Sequence, residues 1–284
     1  MGKKIILSAD SACDLGEELR QRYNVSIYPY HIVLDGKQYS DGIDIHPDDI
    51  YEAYRKKGIL PQTSAINVSE YYEYFKKFTN EGYEVIHIHL GAALSSSYQN
   101  CCTAAEELEG VYPINSGSLS SGIALQVIEA AERIERGMSA ADIANEVSAL
   151  APKCHASFVL DTLEFMRAGG RCSTIAALGA NLLKLKPCIE VDNASGAMSV
   201  GKIYRGNLDK VLVQYTEDQL ARYSNIKRDR AFITHAGISE DRIEIVRNVL
   251  VSRNIFKEIY ITRASCTISS HCGPNTLGVL FMTE

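Results

Sequence analysis

The chain has 284 residues, 46% of them apolar, enough for a substantial core and for two domains. Its 29 Lys and Arg against 35 Asp and Glu give a net charge of −6, which argues against nucleic acid as the main partner because phosphate contacts need cations in excess. No run of 18 apolar residues offers a transmembrane segment, and the apolar stretch near Met1 is too short for a signal peptide.

These features predict a cytoplasmic protein whose eight cysteines are free thiols. No C-x-x-C spacing points to zinc or to a redox site, and Cys101 and Cys102, in a helical stretch, read as packed thiols.

Lys4 to Ala9 reads as a buried strand, followed by the polar loop Asp10-Ser11-Ala12-Cys13-Asp14 and a helix from Leu15 to Tyr23. Val25 to Leu34 and Lys37 to Tyr39 flank Asp35-Gly36, a strong hairpin signal. Pro47 to Lys57 is predicted helical, with acidic residues in its first turn. Pro61 to Ala65 reads as a loop and Ser69 to Thr79 as a tyrosine-rich helix. Strand Glu84–Leu90, helix Ser96–Leu108, strand Val111–Asn115 and a helix from Leu119 to Arg136 follow. Ser139-x-x-Asp142 has the form of a capping box for a helix reaching Leu150. Alternation of strand, polar loop and helix predicts a parallel, Rossmann-like α/β domain over residues 1–152, with ligands at the carboxyl ends of its strands.

From residue 153 to 284 the pattern becomes α+β with a mixed sheet. Strand Cys154–Leu160 leads to a short helix, Thr162–Ala168, ending in Gly169-Gly170. Thr174 to Leu185 is apolar nearly all round, which suits a core helix or the wall of a deep apolar pocket. Pro187–Val191 and Met198–Tyr204 form a hairpin; Leu208–Tyr223 and Glu240–Ser252 are amphipathic helices; Ala231–Thr234, Glu258–Thr262 and Leu277–Met282 are strands.

Three loops carry the chemistry. Gly91-Ala92-Ala93-Leu94-Ser95-Ser96-Ser97 and Ser116-Gly117-Ser118-Leu119-Ser120-Ser121-Gly122 offer hydroxyls and backbone N–H groups but no Lys or Arg. They suit a small anion or polar head group, and their serines have ordinary capping roles as the alternative. The third, Thr267 to Thr276, holds His271 in a Ser-rich stretch before Gly273-Pro274. That histidine could donate to an anion or be a satisfied structural residue. Gly117-x-x-x-x-Gly122 has phosphate-loop spacing, but Ile123-Ala124 stand where Lys-Ser/Thr is required. A Ser96/His271/Asp10 triad can be drawn, as can Asp41, Asp44 and His46 as metal ligands, although a solvated acidic loop is the better reading of the latter.

Taken together, Ser8-Ala9-Asp10-Ser11, Pro61-Gln62-Thr63-Ser64 and Leu94-Ser95-Ser96-Ser97-Tyr98-Gln99 resemble the DegV family of bacterial fatty acid-binding proteins. The resemblance continues through Asp161 to Phe165, Gly169-Gly170-Arg171, Gly201 to Arg205, and the tail Ser270-His271-Cys272-Gly273-Pro274-Asn275-Thr276. It implies two α/β domains with one long-chain fatty acid buried between them. It further implies a carboxylate held by Thr63, Ser64 and one or more of Ser95, Ser96 and Ser97, with His271 nearby. Some members present the bound acid to a separate fatty acid kinase subunit for acyl-phosphate formation, and residues such as Arg171 and Arg205 are associated with that transfer surface. No cofactor, metal or catalytic residue of its own is expected. Asn275 replaces a glycine of the family's tail, and Asn tolerates the left-handed backbone better than most residues.

The expectation is therefore a fatty acid carrier serving phospholipid synthesis through a kinase. A small-molecule hydrolase or transferase using a Ser/His site in the same cleft is the alternative, and a lipid-responsive regulator without a kinase is a third reading.

Overall fold

The computed structural model describes residues 4–177 and 185–284. Seven strands lie in the first part of the chain: β1 (Ile5–Asp10), β2 (Ser26–Tyr28), β3 (His31–Leu34), β4 (Lys37–Ser40), β5 (Gln62–Ser64), β6 (Glu84–His89) and β7 (Val111–Asn115). Helices α1 (Glu17–Arg22), α2 (Pro47–Lys57), α3 (Val68–Thr79), α4 (Ser97–Glu106), α5 (Ser121–Glu135) and α6 (Ala140–Ser148) alternate with them. β2-β1-β6-β7 form a parallel sheet in that order. The apolar runs of β1 and β6 suit strands covered on both faces, and Ala9, Val85, Ile86 and Ile88 are completely buried.

Asp35 and Gly36 both adopt positive φ, 52° and 74°, the backbone a two-residue hairpin needs, and Leu34 pairs with Lys37 across it. The stretch Val25–Leu34, expected as one strand, is broken at Pro29-Tyr30. β2 joins the parallel sheet while β3 joins a separate antiparallel sheet, β4-β3-β5. The predicted loop at Pro61–Ala65 contains β5, which pairs Thr63 with Ile32.

The remaining strands, β8 (Cys154–Val159), β9 (Leu185–Val191), β10 (Met198–Arg205), β11 (Ile226–Ala236), β12 (Glu258–Arg263) and β13 (Thr276–Thr283), form one sheet. Its order is β10-β9-β8-β13-β11-β12, with β11–β12 parallel and the other pairs antiparallel. Helices α7 (Glu164–Gly169), α8 (Leu208–Ala221), α9 (Glu240–Arg253) and α10 (Cys266–Cys272) complete the fold. Helix α5, buried from Ser121 to Ala131, lies between the two large sheets and touches β1 and β6 on one side and β8 and β13 on the other.

Two further expectations need correction. The helix predicted over Thr174–Leu185 is a 3₁₀ turn at Ser173–Ala177, Leu185 already belongs to β9, and residues 178–184 lie outside the described residues. The stretch before Gly273, expected as a loop, is the short helix α10. All eight cysteines are free thiols, and no helix among the described residues is long and apolar enough to cross a membrane.

Candidate functional site

Helix α10 is held in place by carboxylates distant in sequence. Ser265 N–H donates to Asp14 (2.8 Å), Cys266 N–H to one oxygen of Asp41 (2.8 Å), and Thr267 N–H and hydroxyl to the other (3.0 and 2.7 Å). Negative charge at a helix N-terminus also complements the exposed N–H groups there. Asp41 is only 4% exposed and is committed to α10, whereas Asp44 and His46 are exposed, so the solvated-loop reading holds for those two and not for Asp41. Burial pushes the Asp14 carboxyl up to about 7, partly offset by its bonds from Ser120 and Ser265.

Positioned in this way, Thr267, Ile268, His271 and Cys272 share one helix face, as their spacing of three and four requires. They line a cleft that also takes in Tyr30, Thr63, Leu94, Ser95, Phe158 and Met198. The cleft leaves about 670 Å³ unfilled by protein atoms, the space open to solvent at its mouth included. A second, largely apolar recess, about 330 Å³ with the space open to solvent included, shares the wall formed by Leu119, Phe158, Ile268 and Cys272.

The polar end is built from two loops stapled together. Ser97 is fully buried; its hydroxyl accepts from Ile66 N–H (3.0 Å) and from the Ser95 hydroxyl (3.0 Å). Asn100 donates to the Ile66 carbonyl (2.8 Å), so both backbone groups of Ile66 are satisfied by α4. This staple sets Thr63, Ser64 and Ala65 opposite Ser95 and Ser96. All five line the cleft, whereas Ser97 lies behind it.

The Thr63 hydroxyl is 2.9 Å from His271 Nε2. Burial, reinforced by the Arg171 charge, holds the His271 imidazole down to about 4, so it is neutral near pH 7. Its Nδ1 is buried without a hydrogen-bond partner and lies against Gly169, where a Cβ would come within 2.1 Å of it. Glycine is therefore required at 169 for steric reasons. Gly170 has φ 66° at the end of α7, the left-handed backbone that suits glycine. Arg171 follows at the cleft mouth, exposed, with one guanidinium N–H donating to the Gly169 carbonyl (2.6 Å). Arg205, at the end of β10, is exposed and lies outside the cleft lining. Asn275 adopts φ 60° and donates to Asp161 (3.1 Å), so the substituted tail keeps its left-handed turn.

Sequence reasoning missed Tyr30. It is 2% exposed, lines the cleft, and its hydroxyl has no hydrogen-bond partner. Burial raises its ionisation well above the ordinary range, offset in part by the neighbouring Ser97 and Ser95 hydroxyls. The one sequence signal was Pro29, which breaks the strand just before it.

A hydrolytic triad is not assembled. Asp10 accepts from Leu90 N–H (2.8 Å) and Ala12 N–H (3.0 Å) and faces His89, leaving His271 Nδ1 with no orienting carboxylate.

Comparison with known proteins agrees with this architecture. A family model described as an uncharacterised protein of the DegV family matches residues 4–284. A DegV domain-containing protein of Clostridium acetobutylicum is 29% identical over 285 residues, covering 99% of both chains. The structure of a DegV family protein from Thermus thermophilus, described for its fatty acid binding, superposes with a TM-score of 0.89 at 28% identity, covering 99% of this chain and 100% of that one. A stearic acid-binding protein from Eubacterium ventriosum shares the fold at TM-score 0.85 and 24% identity, covering 99% and 98%. With the family model matched from residue 4 to the last residue, the chain belongs to the DegV family.

Proposed function

We propose that the protein binds one long-chain fatty acid, its carboxylate at the Thr63–His271 end of the cleft and its chain among Leu94, Phe158, Met198 and Ile268. The carrying observation is the polarity of the cleft. Hydroxyls of Thr63, Ser64, Ser95, Ser96, Thr267 and the unpartnered Tyr30 line a cleft whose remaining walls are mainly apolar, with Arg171 and His271 beside them. A carboxylate bound there accepts hydrogen bonds worth about 1.5–3 kcal/mol each, with Arg171 the nearby cation.

The tail contributes more. At about 0.8 kcal/mol per buried methylene, a chain of roughly fifteen offers on the order of 12 kcal/mol before ordering costs. The second recess shares the Phe158 and Ile268 wall, the direction in which that chain would extend. Ser97 serves the site from behind, by stapling the head-group loops together.

In this reading the protein is a cytoplasmic carrier divided near Pro152 into two domains, with the ligand between them. It presents the acid to a separate fatty acid kinase, which supplies ATP and forms the acyl phosphate for phospholipid synthesis. Exposed Arg171 and Arg205 form the transfer surface. The test combines purified protein, oleate, ATP and a bacterial fatty acid kinase. Acyl phosphate that needs all four components, and falls at least tenfold with Arg205→Ala while oleate affinity is unchanged, supports the carrier role. No acyl phosphate from lipid-loaded protein refutes it.

A further inference from the structure

His87 and His89 stand at positions i and i+2 of β6, so both imidazoles project from the same face of the strand. Both are 0% exposed, packed among Tyr71, Phe75 and one another, and buried Cys101 of α4 meets them there. Ligand atoms of the three residues all lie within 4.8 Å of one another. Two buried histidines and a thiol converging in the core need a physical account, since buried polar groups are nearly always paired.

The hydrogen bonds fix both tautomers. His89 Nδ1 is 3.1 Å from the Leu90 carbonyl oxygen, which can only accept, so the proton is on Nδ1 and Nε2 is a lone pair. That lone pair accepts from the Tyr71 hydroxyl. His87 Nδ1 is 2.9 Å from Ser8 Oγ, Ser8 Oγ is 2.7 Å from Tyr74 Oη, and Tyr74 donates to Ser26 Oγ (2.8 Å). Donation along this chain is consistent when His87 Nδ1–H gives to Ser8 and Ser8 gives to Tyr74. His87 Nε2 is then a second lone pair, fully buried and without a partner. An imidazole held through one nitrogen by an oxygen acceptor, with the other nitrogen bare, is the usual state of a metal-binding histidine.

We propose that His87, His89 and Cys101 form a three-coordinate site for one Cu(I) ion. Binding joins Cu⁺ to the two Nε2 atoms and to Cys101 Sγ, whose proton leaves to solvent, and Tyr71 gives up its bond to His89. Cu⁺ replaces the thiol proton, so binding adds no net charge to the core. Thiolate and imidazole are ligands that suit Cu(I). Zn²⁺ with the same three ligands would keep a positive charge and lack the fourth ligand its structural sites take.

The test titrates full-length protein anaerobically against the coloured Cu(I)–bicinchoninate complex. It is run once with folded protein and once with protein refolded from urea in the presence of Cu(I), so that slow entry cannot mask binding. The expected result is removal of one equivalent by the wild type and by Cys102→Ser, lost in Cys101→Ser and in His87→Leu, with a copper X-ray absorption edge showing one sulfur and two nitrogen neighbours. No withdrawal in either arm, withdrawal that survives Cys101→Ser, or a shell of sulfur alone overturns the assignment.

Discussion

Replacing Thr63 by Val removes one hydroxyl and little else, because a β-branched side chain suits β5 and the volume is conserved. In the unliganded protein the change takes away the 2.9 Å contact with His271 Nε2, leaving both nitrogens of that buried ring unpaired. The expected loss of stability is about 1–3 kcal/mol. In the complex it removes a donor to a charged carboxylate, about 1.5–3 kcal/mol, which is roughly a 10- to 150-fold rise in Kd for oleate. Thr63→Ser keeps the hydroxyl and should stay within about threefold of wild type. Titration calorimetry at a temperature where all three proteins are folded by circular dichroism reads both numbers. Thr63→Val binding oleate within twofold of wild type would refute the head-group assignment, because that assignment requires the hydroxyl to donate to the carboxylate.

Tyr30→Phe deletes a hydroxyl that has no partner in the structure, so thermal stability without lipid should hold or rise while oleate affinity falls about tenfold. A fall in stability with unchanged affinity would make Tyr30 a packing residue only. Asp41→Ala strips three donors at the start of α10 of their acceptor and should cost about 3 kcal/mol in urea denaturation; it should also weaken lipid binding, since Ile268 and His271 ride on that helix. Acid should destabilise the fold from about pH 6.5 downwards. His89, His155, His235 and His271 are held down to about 4 and His87 well below its ordinary value, chiefly by burial, so the unfolded chain binds protons there that the native state does not. Asp10 and Asp14, pushed up to about 7, take up protons in the native state first and oppose the trend, but they are two groups against five. A melting temperature that stays flat or rises between pH 6.5 and 4.5 would contradict this balance.

The legibility of the sequence follows the range of the forces involved. Helix α2 could be read residue for residue because its signals are local: Pro47 at the first helical position, Asp48 and Asp49 in the first turn, and Gly58 with φ 67° at its end. The Asp35-Gly36 hairpin is local in the same way. Helix α10 was missed because Cys-Thr-Ile-Ser-Ser-His-Cys has weak helical propensity and no apolar period. Its N-terminus is pinned by Asp41, more than 200 residues earlier in the chain. β5 was missed for a related reason, since three polar residues become a strand only because β3 offers an edge. Around the site, Thr63, Ser95, Ser96 and His271 stood out as a hydroxyl-rich set, and the fold brings them to one cleft. Tyr30 did not stand out, because an unpartnered hydroxyl is visible only once its surroundings are known. Nor could sequence separate Ser97 from its neighbours: a partner at Ile66 turns that serine inward.

The central claim is that a fatty acid occupies the cleft, and it is tested most directly by denaturing the purified protein, extracting it with organic solvent and identifying the released lipid by mass spectrometry. The account predicts one long-chain fatty acid per chain, with the amount retained reduced in Thr63→Val. A protein that carries no fatty acid, and takes none up when palmitate, stearate or oleate is supplied, would contradict it.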